Sequence, residues 1–228
     1  MGADHDFDQA YYEANGQLGD RPALRWYARL ARRYMGSGGV LDIGCGTGHL
    51  LKHLSAAGAA DGLEVSEFSA AEARKNSPRS VVFTDPVRLP TGTYQRFTAI
   101  HVVEHLDDAT LRSLLTEVRR SAAPGARYLV VTPDADGRAH SLHGSRWNAL
   151  TDPTHINLKS HDEWRSLFRA EGFTIEREGS DGLWNVPYSS SPKVVDGIRY
   201  AVPMALQFLS GRLFLAPGSG ESALFVLS

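Results

Sequence analysis

Three glycines between an apolar strand and a helix constrain this chain more than any other feature of its sequence. Residues 40–50 read VLDIGCGTGHL, in which Val40–Ile43 has the pattern of a short buried strand and the leucines that follow recur at helical spacing. Gly44, Gly46 and Gly48 lie between these two elements, where the missing side chains let a ligand approach the backbone. The stretch predicts a strand–loop–helix unit that can bind a small molecule.

The spacing of these glycines disfavours the two commonest phosphate-binding loops. A dinucleotide loop has glycines at its first, third and sixth positions, but the sixth position counted from Gly44 is His49. The loop also lacks the Gly-Lys-Ser/Thr ending of a nucleoside triphosphate loop. Neither a pyrophosphate nor a triphosphate is indicated, and a tight turn without a ligand stays open as the alternative.

Strand and helix patterns alternate along most of the chain, which is typical of a doubly wound α/β fold with a mostly parallel sheet and helices on both faces. The predicted strands are 40–43, 62–65, 80–83, 97–103 and 128–132, and the predicted helices begin near residues 22, 49, 67, 108 and 161. Two later segments, 173–176 and 222–227, are predicted to pair antiparallel at one edge of the sheet. The 133–159 segment, between the fifth predicted strand and the helix that begins near residue 161, shows no periodicity and is predicted to be a long functional loop.

Length and composition limit the classes of partner. A chain of 228 residues suits a single domain, here 1–228, with residues 1–36 as an N-terminal lid and helix. A net charge of −2 offers no basic excess for nucleic acid, and the lone Cys45 is compatible with a reducing, cytoplasmic compartment. The apolar 194–215 stretch is interrupted by charges and proline, so we expect no membrane span.

Two carboxylates strengthen the prediction of a ligand site. Glu64 ends the second predicted strand and Asp85 lies just past the third, so both belong to the edge of the sheet where open α/β folds bind ligands. A carboxylate such as that of Glu64 can accept hydrogen bonds from both hydroxyls of a ribose. Asp85 is placed to accept from an adenine amino group. Either acid alone would be a solvated loop residue, but their coincidence with the glycine loop favours a nucleoside ligand.

The combination resembles the class I S-adenosylmethionine-dependent methyltransferases, in particular their small-molecule branch with a seven-stranded sheet. The resemblance rests on VLDIGCGTGHL, GLEVSE, FTDPVRLP, FTAIHVVEHLDD and AAPGARYLVVTPD, and it covers about residues 38–176. It implies that S-adenosylmethionine is the cofactor and that the glycine loop holds its methionine part. The cofactor-binding residues that it implies are Asp42, Gly44, Gly46, Gly48, Glu64, Val65, Asp85, His101 and Tyr12.

Methyl transfer to a protonated oxygen or nitrogen needs a base in addition to alignment, and histidine has a suitable intrinsic pKa. His155, in the long loop, is the first candidate for this base and His105 is the second, although either could instead have a structural role. Tyr11, Trp147 and Asn148 are candidates for binding a small-molecule or carrier-bound acceptor. Segments 133–159 and 183–218 are expected to lie on the substrate side, the latter as a cover or as a homodimer contact.

Three rival functions stay open at this point. The same fold can carry cyclisation or aminocarboxypropyl transfer, which release methylthioadenosine in place of S-adenosylhomocysteine. A binding module with a vestigial site is disfavoured by the intact glycine loop and acids. A metal enzyme is suggested only by His101, Glu104 and His105, whose strand-to-loop position does not put them on one helical face, so no metal is expected.

Overall fold

The computed structural model describes residues 9–14, 19–183, 195 and 201–228. The strands are β1 Val40–Ile43, β2 Ala60–Leu63, β3 Val82–Phe83, β4 Tyr94–Ile100, β5 Ala122–Pro133, β6 Ile175–Ser180 and β7 Ser222–Leu227. The helices of the described residues are α1 Gln9–Ala14, α2 Pro22–Tyr34, α3 His49–Ser55, α4 Glu67–Asn76, α5 Asp108–Ser121, α6 Arg138–His143, α7 Asn148–Thr151, α8 His161–Ala170 and α9 Val202–Ser210.

The strands form a seven-stranded sheet in the order β3-β2-β1-β4-β5-β7-β6. Strand β1 pairs in parallel with both β2 and β4, and β2 pairs in parallel with β3. Strand β7 pairs antiparallel with β5 and with β6. The predicted fold, a mostly parallel sheet with an antiparallel C-terminal edge, is therefore confirmed.

The chain divides into two compact units, of which the first comprises residues 1–100 and 109–127. Its helices begin where the sequence supplies a suitable residue: Pro22 occupies the first turn of α2, and the Ser66 side chain accepts a hydrogen bond from the Ser69 backbone at the start of α4. Apolar residues of α2, α3 and β1 are almost fully buried, among them Trp26, Leu30, Leu41 and Leu51. This packing supports the loop between β1 and α3.

Gly48 shows why that loop requires glycine at its last position. Its backbone is left-handed, with φ of 83°, and it directly precedes α3. A Cβ atom added there would lie 2.7 Å from the Cα of Ala73 in α4, closer than real Cβ atoms come to a neighbour. The glycine therefore allows the start of α3 to pack directly on α4, and this contact orients the whole loop.

The second unit comprises residues 101–108 and 128–228. Every residue of β7 is buried, as expected for a strand with neighbours on both sides. Helix α8 begins with the predicted capping box, in which Ser160 and Glu163 exchange side-chain and backbone hydrogen bonds. Phe168 of α8 packs edge-on against Phe225 of β7 with ring centroids 5.3 Å apart. Residues 101–108 join this unit through contacts with the 152–157 segment.

Several element boundaries differ from the prediction. Strand β2 begins and ends two residues earlier, β3 is shorter, β5 begins at Ala122 rather than at residue 128, and β6 is Ile175–Ser180 rather than 173–176. Strand β4 begins at Tyr94 rather than at residue 97. The Tyr94 hydroxyl donates a hydrogen bond to Asp61, and the Arg96 guanidinium donates to the carbonyl oxygens of Gly36 and Gly38. These contacts hold in the strand polar residues whose sequence resembles a turn. Strand β4 ends at Ile100, because His101 adopts a left-handed φ of 56°. Helix α3 ends at Ser55, which leaves Ala57 exposed.

The prediction that residues 133–159 are irregular is wrong in part, since they contain α6 and α7. Both helices are too short to show a hydrophobic period. They are held by a buried cluster of Ala139, Trp147, Ala149 and Leu183. Of the predicted 1–36 lid and the 183–218 cover segment, residues 1–8, 15–18, 184–194 and 196–200 lie outside the described residues. Among the described helices, none has both the length and the apolarity that crossing a membrane requires.

Candidate functional site

The glycine loop of the first unit is bonded directly to the carboxylate predicted beside it. Glu64 immediately follows β2, and its Oε2 accepts a hydrogen bond of 2.9 Å from the Gly46 backbone N–H. Its Oε1 accepts a second bond of 2.9 Å from the Ser66 backbone N–H. Burial raises the pKa of the Glu64 carboxyl, although these backbone hydrogen bonds act in the opposite direction. The carboxylate is thus held in one orientation, and its remaining lone pairs can accept further donors.

Asp42 presents an unsatisfied oxygen at the end of β1. Its Oδ1 accepts a 2.6 Å hydrogen bond from the Thr98 hydroxyl on β4, opposite which it lies in the strand register. Its Oδ2 is buried and has no hydrogen-bond partner among the described residues. Burial raises the pKa of Asp42 to about 7, with a smaller contribution from the nearby Glu64 carboxylate. A buried, unpartnered carboxylate oxygen favours a ligand that brings a donor or a positive charge.

Helix α1 places an aromatic residue over the middle of the loop. The Tyr12 side chain is buried, and its hydroxyl oxygen would lie 3.2 Å from a Cβ atom added to Gly46. The Tyr11 ring meets the Tyr12 ring edge-on, with centroids 5.3 Å apart. Burial, and then the charge of Glu64, hold the pKa of the Tyr12 phenol well above its usual value. Tyr12 is therefore a neutral side chain that covers the backbone of Gly46.

The loop after β3 is fixed by its own turn and by one arginine. Asp85 Oδ1 accepts a 2.9 Å hydrogen bond from the Val87 backbone N–H, so Asp85 caps the short turn Pro86–Arg88 and is partly exposed. Arg120 of α5 donates bonds of 2.9 Å to the carbonyl oxygens of Leu89 and Val87. Val65, after β2, is 66% exposed and offers apolar surface that a flat apolar ligand would cover.

The second unit brings together both histidines that were predicted as bases. The rings of His105 and His155 meet with centroids 4.7 Å apart. His105 Nδ1 lies 2.9 Å from the Thr154 hydroxyl, which itself donates a 2.6 Å hydrogen bond to Asp152. His155 Nδ1 lies 2.8 Å from the Ala149 carbonyl oxygen. Burial lowers the pKa of His105, more than the neighbouring Glu104 raises it. Both rings are therefore held in place by contacts at Nδ1.

A fully buried carboxylate stands next to this pair. Glu104 accepts bonds of 3.1 Å from His101 Nδ1 and from the Thr132 hydroxyl, one on each carboxylate oxygen. Burial alone would raise the pKa of Glu104, but the bond from His101 and the proximity of His105 produce a net lowering. The Glu104 carboxylate is accordingly ionised at neutral pH despite its burial. The left-handed backbone of His101 is what turns its ring toward Glu104.

The residues predicted to bind the acceptor have different environments. Trp147 is 1% exposed, stacks on His140 at 5.4 Å, and has no hydrogen-bond partner for Nε1 among the described residues. Asn148 is exposed, and its side chain accepts a bond from the Ala149 backbone N–H. Trp147 is thus part of the core that supports α6 and α7, whereas Asn148 faces solvent. Tyr11 is partly buried beside Tyr12.

Sequence reasoning missed three residues that shape these sites. Thr98 bonds to Asp42, Thr154 bonds to His105, and Arg120 holds the loop after β3. Thr98 carried a usable signal, because it is a polar residue within the apolar 97–100 part of β4, and parallel β1 and β4 place it opposite Asp42. The other two contacts join residues 31 to 49 positions apart and leave no local pattern.

Comparison with known proteins agrees with this architecture. The profile of a family described as the methyltransferase domain matches residues 14–178. An uncharacterized methyltransferase, YcgJ of Bacillus subtilis (strain 168), is 26% identical over 163 residues, or 65% of this chain. The match spans 60% of the length of that relative.

Solved structures with the same fold include a SAM-dependent methyltransferase from Archaeoglobus fulgidus, with a TM-score of 0.63, 20% identity, and coverage of 96% of this chain and 99% of the other. They also include the mitomycin 7-O-methyltransferase MmcR, with a TM-score of 0.63, 17% identity, and coverage of 95% of this chain and 56% of the other. At these identities the likeness concerns the fold.

Proposed function

The chain belongs to the S-adenosylmethionine-dependent methyltransferases, and we propose that it transfers a methyl group to an oxygen or nitrogen of a small-molecule acceptor. The observation that carries the choice of oxygen or nitrogen is the pair of His105 and His155, because such a nucleophile is protonated at neutral pH and needs a proton acceptor. The fold of this chain also carries small-molecule O-methyl transfer in the mitomycin 7-O-methyltransferase.

The residues of the first unit fit S-adenosylmethionine. The unpartnered Oδ2 of Asp42 suits the ammonium group of the methionine part, and we assign Gly44 and Gly46, both with left-handed backbone, to the loop beside it. The lone pairs that remain on Glu64 suit the ribose hydroxyls. Asp85 Oδ2, which lies 3.9 Å from Arg88 Nε, and the exposed Val65 suit the adenine. We assign Tyr12 to the cover of this site, and Gly48 to the loop geometry on which it depends.

When bound, S-adenosylmethionine supplies an electrophilic methyl group, and its sulfur keeps the electron pair of the broken carbon–sulfur bond as the thioether of S-adenosylhomocysteine. The residues of the chain then have two tasks, which are to exclude water and to remove the proton that the acceptor loses. We propose that His155 removes this proton with the support of His105. His101, Tyr11 and Asn148 remain proposed contacts of the cofactor or the acceptor.

His155 fits the role of proton acceptor because of the hydrogen bond that its ring makes. The Ala149 carbonyl oxygen can only accept a hydrogen bond, so Nδ1 of His155 carries a proton and Nε2 is the nitrogen that can accept one. The side chain is 12% exposed, and its Nε2 lies 3.8 Å from Asp152 Oδ2. The 133–159 segment is accordingly proposed as the acceptor-binding part of a single functional domain.

The proposal is tested by product analysis. The purified protein is incubated with candidate acceptor pools and with cofactor labelled separately on the methyl group and on the aminocarboxypropyl group, and the products are identified by mass. Labelled methyl on an oxygen or nitrogen, together with S-adenosylhomocysteine, is the expected result. Methylthioadenosine as the by-product would replace the proposal with cyclisation or aminocarboxypropyl transfer, and methyl transfer to carbon would remove the need for the histidine pair.

A further inference from the structure

Glu104, His105 and His155 form a cluster that the reaction described so far does not require as a whole. One ligating atom from each residue lies within 4.8 Å of those of the other two. Glu104 is fully buried, and both histidines are partly buried. We propose that these three side chains bind a divalent transition-metal ion, and that the ion binds the reacting group of the acceptor. The ion would take the ring lone pair of His155, so in the metal-bound protein the ion replaces His155 as the group that promotes loss of the acceptor proton.

Both histidines carry the lone pair on the same ring nitrogen. His155 Nδ1 donates to the Ala149 carbonyl, which leaves the lone pair of the neutral ring on Nε2. His105 Nδ1 faces the Thr154 carbonyl oxygen at 3.2 Å and the Thr154 hydroxyl at 2.9 Å, and that hydroxyl gives its own proton to Asp152. Nδ1 of His105 is therefore also a donor, and its lone pair is on Nε2.

This arrangement matches how proteins orient histidine ligands. A ligating imidazole usually donates its other N–H to a carbonyl or carboxylate, which fixes the tautomer and the ring plane. The Ala149 carbonyl does this for His155 directly, and Thr154 with Asp152 does it for His105. A histidine pair that served only to fill space would not need both rings fixed with the same nitrogen protonated.

Glu104 supplies the negative charge that such a site needs. Each carboxylate oxygen accepts one hydrogen bond, from His101 or from Thr132, and each has a second lone pair that can bind an ion. Glu104 is completely buried, and a buried carboxylate is stabilised by a cation beside it.

The ligand set indicates the class of ion. Two imidazoles with one carboxylate suit Mn²⁺, Fe²⁺, Co²⁺, Ni²⁺ or Zn²⁺ better than Mg²⁺ or Ca²⁺, which prefer oxygen ligands. The three ligand atoms lie at most 4.8 Å from one another, so an ion at the centre of their triangle would be no more than about 2.8 Å from each. Metal–ligand bonds of about 2.1 Å therefore require small side-chain adjustments. Three protein ligands leave coordination positions for an acceptor oxygen or nitrogen, whose pKa the ion would lower.

The test measures the ion directly, without any acceptor. The full-length protein, free of affinity tags and dialysed against a chelator, is titrated with Co²⁺ and followed by visible absorption and calorimetry. We expect one equivalent to bind with d–d bands typical of nitrogen and oxygen ligands, and to raise the Tm by mass action. His105→Ala and His155→Ala should each weaken binding at least about tenfold, since loss of even an outer partner costs about 10–100-fold.

Matched variants separate this site from other histidines. His143→Ala, a change in α6 outside the cluster, should leave Co²⁺ binding unchanged, and Thr154→Val should weaken it through His105. Absence of binding at millimolar Co²⁺ overturns the proposal, as does equal binding by wild type and both cluster variants. Because Glu104→Gln changes a fully buried residue and can unfold the chain, the two histidine variants carry the test.

The role of the ion in turnover rests on the proposed function, whereas ion binding does not. A titration with S-adenosylmethionine in the same samples tells the two apart, since cofactor binding by the metal-free protein should be normal. If Co²⁺ binds at the cluster but chelation leaves methyl transfer to an identified acceptor unchanged, the proposed contact between ion and acceptor is wrong.

Discussion

The glycine loop and the cluster of Glu104, His105 and His155 are held in place by different kinds of contact. Around the glycine loop, positions are set by backbone: glycines with left-handed φ, a carboxylate bonded to the backbone N–H groups of Gly46 and Ser66, and one orphan oxygen on Asp42. In the cluster, side chains hold one another in position by hydrogen bonds. The Thr154 hydroxyl donates to Asp152 and accepts from His105 Nδ1. Backbone sites suit a ligand that is always the same, and side-chain sites can be altered for a new acceptor one residue at a time.

Because the two regions are held by different contacts, a substitution that disrupts one region should leave the function of the other intact. Gly46→Val should have the largest effect on cofactor binding, because φ of 52° strains a β-branched residue and the added side chain would press on Tyr12. We expect cofactor affinity to fall on the order of 100-fold or more, about 2.8 kcal/mol, as measured by calorimetry.

Gly58→Val is the matched control, since a Cβ atom there meets nothing within 4 Å. Circular dichroism checks that both variants are folded. A folded Gly46→Val protein with wild-type affinity would mean that the glycine loop is only a turn.

His155→Ala changes the histidine cluster and tests whether the cofactor site functions without it. Turnover with an identified acceptor should fall by roughly 10²–10⁴, the usual contribution of a positioned base, while affinity for S-adenosylmethionine stays within about twofold. His53→Ala, a change in α3 of the first unit, is the control and should keep full turnover. If His155→Ala lowers cofactor affinity as strongly as turnover, the two regions do not have separate tasks.

Glu64→Ala should weaken cofactor binding by about 1.5–3 kcal/mol, the range for hydrogen bonds to a charged group. The loss combines the missing acceptor for the cofactor with the loss of support for Gly46. Glu67→Ala, an exposed acid in the first turn of α4, serves as the control for charge. Unchanged calorimetric affinity in Glu64→Ala would remove this residue from the site.

Asp42→Asn should have the smallest effect and a characteristic pH dependence. The folded pKa of Asp42, about 7, exceeds the value of 3.8 expected for an unfolded chain, so ionisation disfavours the fold. The stability that this residue contributes is complete below the unfolded pKa and is lost as the pH rises through 7.

Asp42→Asn does not lose stability in this way. The Tm of the variant minus that of the wild type should therefore increase by a few degrees from pH 5 to pH 8, which corresponds to a free energy on the order of 1 kcal/mol. The measurement is a thermal melt of the cofactor-free protein. The exposed Asp136→Asn variant should show no such trend. A Tm difference that is flat across this range would show that the Asp42 carboxyl titrates normally.

Prediction from sequence succeeded where the determining contacts are local. Strand β1, helix α4 and strand β7 have the predicted bounds, because apolar runs, a serine cap and a proline stop lie within each element. The proximity of Glu64 to the glycine loop was also predictable, since parallel strands bring their carboxyl ends to one edge.

What the sequence could not predict depends on distant residues. His105 and Thr154 are 49 positions apart, and only the folded chain brings them into contact. Helices α6 and α7 are stabilised by the burial of Trp147 and not by a period of their own, so their composition resembles a loop. Strand β4 begins at Tyr94 because of bonds to Asp61 and to the carbonyl oxygens before β1.

Arg120 gives the loop after β3 a property that matters for the speed of binding. Its guanidinium satisfies carbonyl oxygens of Val87 and Leu89, so the turn that carries Asp85 acquires its shape when the chain folds. A ligand arriving at a preshaped turn loses little conformational entropy of the loop and does not wait for the loop to order. The association rate constant of a ligand that contacts this turn is therefore expected to fall as solvent viscosity rises, as it does when diffusion is the slow step.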